Sequence, residues 1–255
     1  MKGNMIDQLS APGAIRIEFQ PILTVDASGT TLYAYEALAR GPRNTSMERP
    51  DVMFEYARRK SVEAQIDLIC ITEVLAATAT LPGTPSISIN LHGSTMTNVP
   101  NFAETFIALA ATHGVAPERL MLEIVEHRAP WSMDILRATL EELRGSGIRI
   151  ALDDLGVAAS NYRMIVDCRP DHLKIDRYIV SGCSDDPYRQ AVLRSIVTLA
   201  ESCNAIPIAE GVEEQADLDA ILDLGIDKVQ GWIYGPSLPA SEIANRATNF
   251  ERTLA

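Results

Sequence analysis

The chain has 255 residues, 47% of them apolar, and a formal charge of −12 from 34 acids against 22 bases. That size suits one large core, and an α/β barrel commonly takes about 250 residues as a single domain. The acidic balance argues against non-specific binding to nucleic acid or to an anionic membrane, and it admits an anionic small molecule only if bound cations bridge it to the acids.

Residues 1–14 read as a loose arm, punctuated by Pro12-Gly13, ahead of one domain over 15–255. The opening stretch has no apolar core like that of a signal peptide, and no run approaches the ~18 apolar residues of a membrane span. The expectation is a soluble, cytoplasmic protein without membrane insertion. Strand patterns fall at 15–22, 31–38, 85–91, 119–124, 148–153, 171–176, 205–209 and 227–230. Helical patterns fall at 50–60, 62–79, 100–113, 132–145, 187–203, 213–224 and 240–252. This alternation predicts an α/β fold, and the strand count favours a closed barrel. Only Asp26-Ala27-Ser28-Gly29-Thr30 separates the first two strands, which predicts an antiparallel hairpin there.

Parity along the strands gives each a polar and an apolar side. In Ser86-Ile87-Ser88-Ile89-Asn90 the isoleucines oppose the polar set, and in Leu120-Met121-Leu122-Glu123-Ile124 the glutamate opposes Leu120, Leu122 and Ile124. Asp153 opposes its branched neighbours, and Lys174 and Asp176 share a face that Leu173 and Ile175 do not. Side chains alternate across a strand, so the apolar set packs under helices while the polar set points into the barrel. Glu210 is the exception, because it shares parity with Ile206 and Ile208.

Glu36, Asn90, Glu123, Asp153, Asp154, Asp176 and Glu210 each stand at or just past the end of an apolar run. A barrel gathers such positions at the C-terminal ends of its strands, where active sites sit. Carboxylates and an amide are hard oxygen ligands suited to Mg²⁺ or Mn²⁺. With a lysine beside paired cations they form the equipment for two-metal hydrolysis of a phosphate ester. Adjacent Asp153 and Asp154 repel unless a cation or a raised pKa relieves them. Each acid also has a structural reading: a lone glutamate after a strand commonly serves a helix start, and Asp176, just before Arg177, caps as readily as it ligates. Their joint recurrence favours the metal site.

His92, His113, His127 and His172 show no consistent pattern with the acids and read as structural or exposed. Cys70, Cys168, Cys183 and Cys203 have neither CxxC nor ligand spacing, so they read as reduced, mostly buried thiols. Neither a Gly-rich phosphate loop nor a GxSxG elbow is present.

The residues resemble the EAL domain family of cyclic di-GMP phosphodiesterases over about residues 17–240. Phe19-Gln20-Pro21-Ile22 resembles its first strand, and Glu36-Ala37-Leu38, followed by Ala39-Arg40, is the signature. Ser88-Ile89-Asn90-Leu91, Glu123-Ile124-Val125-Glu126, Asp153-Asp154-Leu155-Gly156 and Leu173-Lys174-Ile175-Asp176 follow in order. Ala209-Glu210-Gly211-Val212-Glu213 and Val229-Gln230-Gly231 complete eight blocks at family spacing. The resemblance implies a modified TIM (β/α)8 barrel with an antiparallel first strand, hydrolysing cyclic di-GMP to linear pGpG. It implies that Glu36, Asn90, Glu123 and Asp153 ligate one Mg²⁺ or Mn²⁺, with Asp153 bridging to a second that Asp154 helps hold. Lys174 and Glu210 would position and deprotonate the attacking water, and Asp176 would support that lysine or the second ion. Gln20 and Arg40 would contact the substrate, Gln230 would orient water or ligand, and Glu126 would anchor the loop after Gly156.

That loop departs from the family pattern, which runs Gly-Thr/Ala-Gly-Tyr/Phe-Ser; here Val157-Ala158-Ala159-Ser160 follows Gly156. Alanine in place of a glycine with φ > 0 would reshape the loop at a cost of about 1 kcal/mol. The expectation is an intact first metal site, with activity reduced or dependent on a homodimer. The alternative is a non-catalytic member that acts as a cyclic di-GMP receptor or protein-interaction module. A sensory domain is not evident in the sequence, which leaves the regulatory input open; a separate sensory or regulatory protein is one expected partner besides cyclic di-GMP.

Overall fold

The computed structural model describes residues 5–11, 13–125, 132–157 and 161–243. Its strands are β1 (Arg16–Asp26), β2 (Gly29–Arg40), β3 (Ser86–His92), β4 (Leu120–Val125), β5 (Arg149–Leu155), β6 (His172–Ile175), β7 (Ile206–Ala209), β8 (Lys228–Gln230) and β9 (Leu238–Pro239). The helices are α1 (Met5–Leu9), α2 (Pro50–Arg59), α3 (Glu63–Thr78), α4 (Gly93–Asn98), α5 (Phe102–Thr112), α6 (Met133–Gly145), α7 (Asn161–Cys168), α8 (Arg177–Val180), α9 (Pro187–Cys203) and α10 (Gln215–Asp223).

Strands β2 to β8 run parallel in sequence order, and β1 closes the circle by pairing antiparallel with both β8 and β2. The expected hairpin is therefore present, and its register sets Gln20 directly opposite Glu36. Strand β9 lies outside the closed barrel as an antiparallel partner of β1, with Glu18 opposite Pro239. All eight barrel strands lie where the alternation places them. Helix α9 shows how local sequence sets an element. Asp186 accepts from the Tyr188 and Arg189 amides at 2.8 and 3.3 Å, Pro187 takes the first turn, and Asn204 ends the helix at φ 55.

The strand faces divide as parity requires. Ile87, Ile89, Leu91, Leu120, Leu122, Ile124, Ile150, Leu152, Leu173 and Ile175 join the main core with residues of the surrounding helices. A smaller cluster of Ile22, Ala34, Met121, Ala151 and Ile208 fills the barrel interior, two residues below the acids on the same strand face. Ile208 explains the parity of Glu210: both point inward, and the isoleucine belongs to that apolar interior layer. A register shift in the hairpin near Ile22 and Leu23 accompanies Tyr33, which meets the inward-facing His172.

Four stretches differ from the sequence reading. Within the 1–14 segment, Met5–Leu9 is helical and Leu9 is fully buried beside Met53, Ala57 and Ile66. Burial of that leucine ties the helix to α2 and α3, which periodicity in so short a stretch does not reveal. Short helices α4, α7 and α8 sit in segments read as connections. The pattern at 240–252 starts as a helix at 240–243, and its remainder lies outside the described residues. His127, Glu126 and residues 158–160 of the altered loop also lie outside them.

Candidate metal centre

The site is built around Lys174, which β6 delivers from the barrel floor and which is 1% exposed. Its Nζ lies 3.2 Å from Glu36, 2.5 Å from Glu210 and 3.6 Å from Asp153, and it also contacts Glu123. Oxygen atoms of Glu36, Glu123 and Glu210 all fall within 4.8 Å of one another. Neighbouring polar groups hold these carboxylates in place. Ser88 Oγ donates to Glu123 at 2.9 Å, Asn90 Nδ2 donates to Glu36 at 2.8 Å, and Gln230 Nε2 donates to Glu36 at 2.6 Å. Gln230 Nε2 also reaches Gln20 Oε1 at 3.1 Å.

Four carboxylates face one ammonium in a buried space, so they cannot all ionise without further cations. Two like charges about 4 Å apart repel by roughly 4 kcal/mol even at an effective dielectric near 20. Burial works against the Lys174 charge, yet Asp153, Glu123, Glu210 and Glu36 hold its pKa well above the ordinary value. Burial also pushes Glu36 upward, but Lys174 and the Asn90 and Gln230 hydrogen bonds prevail and hold it below its ordinary value. Glu123 lacks such amide donors; burial and the Glu36 and Asp153 charges raise it to about 8 despite Lys174. Burial and the same crowd of carboxylates raise Glu210 well above the ordinary range. The crowding of Glu123 and Glu210 thus favours either a proton or a divalent cation as the balancing charge. Its hard oxygen donors fit Mg²⁺, Mn²⁺ or Ca²⁺.

Strand β5 brings a second pair of acids to the same rim. Its pairing with β6 shifts register between Leu152 and Leu155, and Asp154 adopts the left-handed φ of 54. Aspartate tolerates that conformation better than most residues, and bulges of this kind re-aim side chains beside active sites. Burial, Asp153 and Asp176 raise Asp154 to about 6, and its carboxyl hydrogen-bonds Asp176. Asp176 accepts from the Tyr178 amide at 2.7 Å and caps α8, so the capping role weighed for it is real. It also borders a cavity of about 250 Å³ with Gln20, Glu210, Gln230 and Trp232.

A larger cavity of about 610 Å³ extends from Glu36, Asn90, Asp153 and Asp154 towards Arg40 and the α2 residues Phe54 and Arg58. His92 lines it as well. The sequence reads this histidine as structural or exposed, and it is buried, with Nδ1 bound to Asp67 at 2.9 Å. The site therefore brings together Gln20, Glu36, Asn90, Glu123, Asp153, Lys174, Glu210 and Gln230, with Asp154, Asp176 and Arg40 on the surrounding walls. Ser88 and Asp67, which bind Glu123 and His92, are site residues that the sequence motifs do not mark. Ser88 shares the strand face of Asn90, which is the signal that could have found it.

Such a barrel, with an acidic cluster at its strand ends that could hold a metal ion, defines a class of α/β barrel protein. A family model for the EAL domain matches residues 4–237, and the chain belongs to that family. It is 28% identical over 233 residues to the probable cyclic di-GMP phosphodiesterase PdeA of Escherichia coli K12, covering 90% of this chain and 31% of that protein. The manganese/cy-diGMP complex of Klebsiella pneumoniae BlrP1 superposes with a TM-score of 0.79 at 25% identity, covering 90% of this chain and 57% of the other. An EAL domain protein from Listeria monocytogenes EGD-e shares the fold with a TM-score of 0.82 at 21% identity, covering 97% and 99%. The chain spans less than a third of the length of the curated relatives PdeA and y4lL, 31% and 28% respectively. No helix among the described residues is long and apolar enough to cross a membrane.

Proposed function

We propose that this chain hydrolyses cyclic di-GMP to linear pGpG with divalent cations held among the strand-end acids. The observation that carries the reading is Lys174 surrounded by Glu36, Glu123, Asp153 and Glu210, a buried cluster whose negative charge calls for cations. Glu36, Asn90, Glu123 and Asp153 would hold one Mg²⁺ or Mn²⁺, and Asp153, Asp154 and Asp176 would hold or support a second. Bound in this way, the ions would neutralise the phosphodiester and lower the pKa of water. Glu210, whose carboxylate lies 2.5 Å from Lys174 at the strand ends, would take the proton of the attacking water. Lys174 would hold that water beside the carboxylates, and its positive charge would offset the negative charge developing on the phosphoryl oxygens. Gln20 and Gln230 would orient the ligand at one wall, and Arg40 would meet a phosphate at the other. Glu126 would anchor the loop after Gly156.

The test is turnover of cyclic di-GMP to pGpG with Mg²⁺, Mn²⁺ and Ca²⁺ in parallel, with binding read in the same samples. Hydrolysis with Mg²⁺ or Mn²⁺, abolished by EDTA, is expected. Binding without turnover under every metal would replace the enzyme with a receptor built on the same barrel. The reading carries with it a cytoplasmic homodimer under the control of a separate sensory protein. A monomer with full activity would remove the homodimer from it.

A further inference from the structure

Arg40 ends β2 four positions beyond Glu36 and lies on the wall of the larger cavity. Its guanidinium is held by two residues to which the cation-binding scheme gives no role. Nε donates to Glu18 Oε2 at 3.0 Å, and Nη2 donates to Ser237 Oγ at 3.1 Å. Ser237 Oγ donates in turn to that same Glu18 oxygen at 2.8 Å, so the three side chains close a triangle. Among the described residues, Nη1 has no partner.

The triangle joins three parts of the fold. Glu18 stands on β1, which pairs with β2 on one side and β9 on the other, while Ser237 lies immediately before β9. The pairing of Glu18 with Pro239 fixes the distance between that carboxylate and the hydroxyl two residues earlier. Arg40 and Glu18 remain about a quarter exposed, at 24% and 22%. A surface ion pair of this kind contributes little to stability, which leaves the orientation of the guanidinium as its main effect. A free arginine loses rotamer freedom when it binds a phosphate, and an arginine already fixed loses less. Glu18 also reduces the positive charge that Arg40 offers an anion, so the arrangement favours geometry over long-range attraction.

We propose that Glu18 and Ser237 are positioning residues that fix the Arg40 guanidinium at the cavity wall before a cyclic dinucleotide phosphate arrives. This rests on the reading of the chain as a cyclic di-GMP hydrolase in which Arg40 touches substrate. Glu18→Gln keeps an acceptor for Nε and removes the charge, whereas Glu18→Ala removes both.

The experiment measures cyclic di-GMP affinity with Ca²⁺ and steady-state kinetics with Mn²⁺ for Glu18→Ala, Glu18→Gln and Ser237→Ala. Each is made with Arg40 present and in an Arg40→Ala background. Glu18→Ala and Ser237→Ala should each raise Kd and KM about tenfold, the scale of one charged hydrogen bond, with kcat within about twofold. Glu18→Gln should recover most of the loss, and no effect should remain in the Arg40→Ala background. Unchanged or tighter binding by Glu18→Ala, or a full loss persisting without Arg40, would overturn the inference while leaving the hydrolase reading intact. If the unaltered protein binds no cyclic di-GMP, the hydrolase reading fails. The clamp is then judged by the Arg40 Nε–H resonance, expected to be slow to exchange with water and lost in Glu18→Ala. An Arg40 signal indistinguishable from those of exposed arginines would overturn it.

Discussion

Asn90 donates to Glu36 across 2.8 Å, tying the ends of two neighbouring parallel strands at the rim of the barrel. The same glutamate accepts from Gln230 and contacts Lys174, so one carboxylate connects residues from three strands besides its own. Replacing it removes both a cation ligand and this connection. Glu36→Ala should abolish Mn²⁺ binding by calorimetry and lower kcat/KM by about 10³-fold or more. Full activity in that variant would remove Glu36 from the site.

Glu210 is expected to act on the water more than on the ligand. Glu210→Gln should bind cyclic di-GMP in Ca²⁺ within a few-fold of the unaltered protein while kcat falls by about 10²–10⁴. An equal loss of binding and turnover would make it chiefly a cation ligand.

Cation binding should depend on pH in a defined direction. Glu123, raised to about 8, favours its proton at neutral pH in the ion-free protein, and Asp154, raised to about 6, does so only below that pH; a cation must displace whichever proton is bound. Apparent Mn²⁺ affinity should therefore rise as pH increases from about 6 to about 8, with protons released on binding. Calorimetry in buffers of different ionisation enthalpy measures that release. A pH-independent affinity would show that neither carboxyl is protonated before the ion arrives.

The barrel floor carries a separate pH dependence. His172 is 1% exposed and meets the Tyr33 hydroxyl at 2.5 Å; burial and the nearby Arg149 charge depress its pKa to about 4. Between about 4 and the unfolded value near 6.5 the unfolded chain binds more protons than the folded one. Stability attributable to this group is present above pH 6.5 and is lost as pH falls through that window, by on the order of 1–3 kcal/mol. Replacing His172 and Tyr33 together with phenylalanine should flatten that part of the curve in urea unfolding from pH 7 to pH 4.5.

Gly211 follows Glu210 at φ 64, and a Cβ there would fall 2.4 Å from the Arg177 Cβ. Gly211→Ala should displace the loop that carries Glu210, lowering both melting temperature and kcat. A variant with unchanged stability and turnover would mean that the chain between β7 and α10 yields easily.

Most of the barrel was legible because its strands keep strict parity. Ser88, Asn90, Glu123 and Lys174 could be assigned to one face from alternation alone. Glu210 breaks the alternation only if Ile208 faces outward; a barrel of this size has an apolar inner layer that includes Ile208, and a single strand cannot reveal it. Asp154 escaped parity for a different reason, since a register shift and a left-handed backbone turn it towards the rim. The Asp67–His92 and Glu18–Arg40–Ser237 contacts span 22 to 219 residues of chain, depend on tertiary approach, and have no local signal. Leu9 has no such signal, because a five-residue helix is too short to show a period.

The reversed first strand also decides where the polypeptide meets its own chemistry. In a barrel of uniformly parallel strands, the chain would enter at the floor, opposite the reactive end. Here Arg16 pairs with Arg40 at the rim, β1 descends from there, and the turn at Ala27 and Ser28 takes the far side. Strand β9, pairing beside Glu18, leaves at the same rim. A control segment joined ahead of Arg16 would thus reach the cavity mouth without crossing the length of the barrel, whereas a reporter inserted at Ser28 would stand at the opposite end.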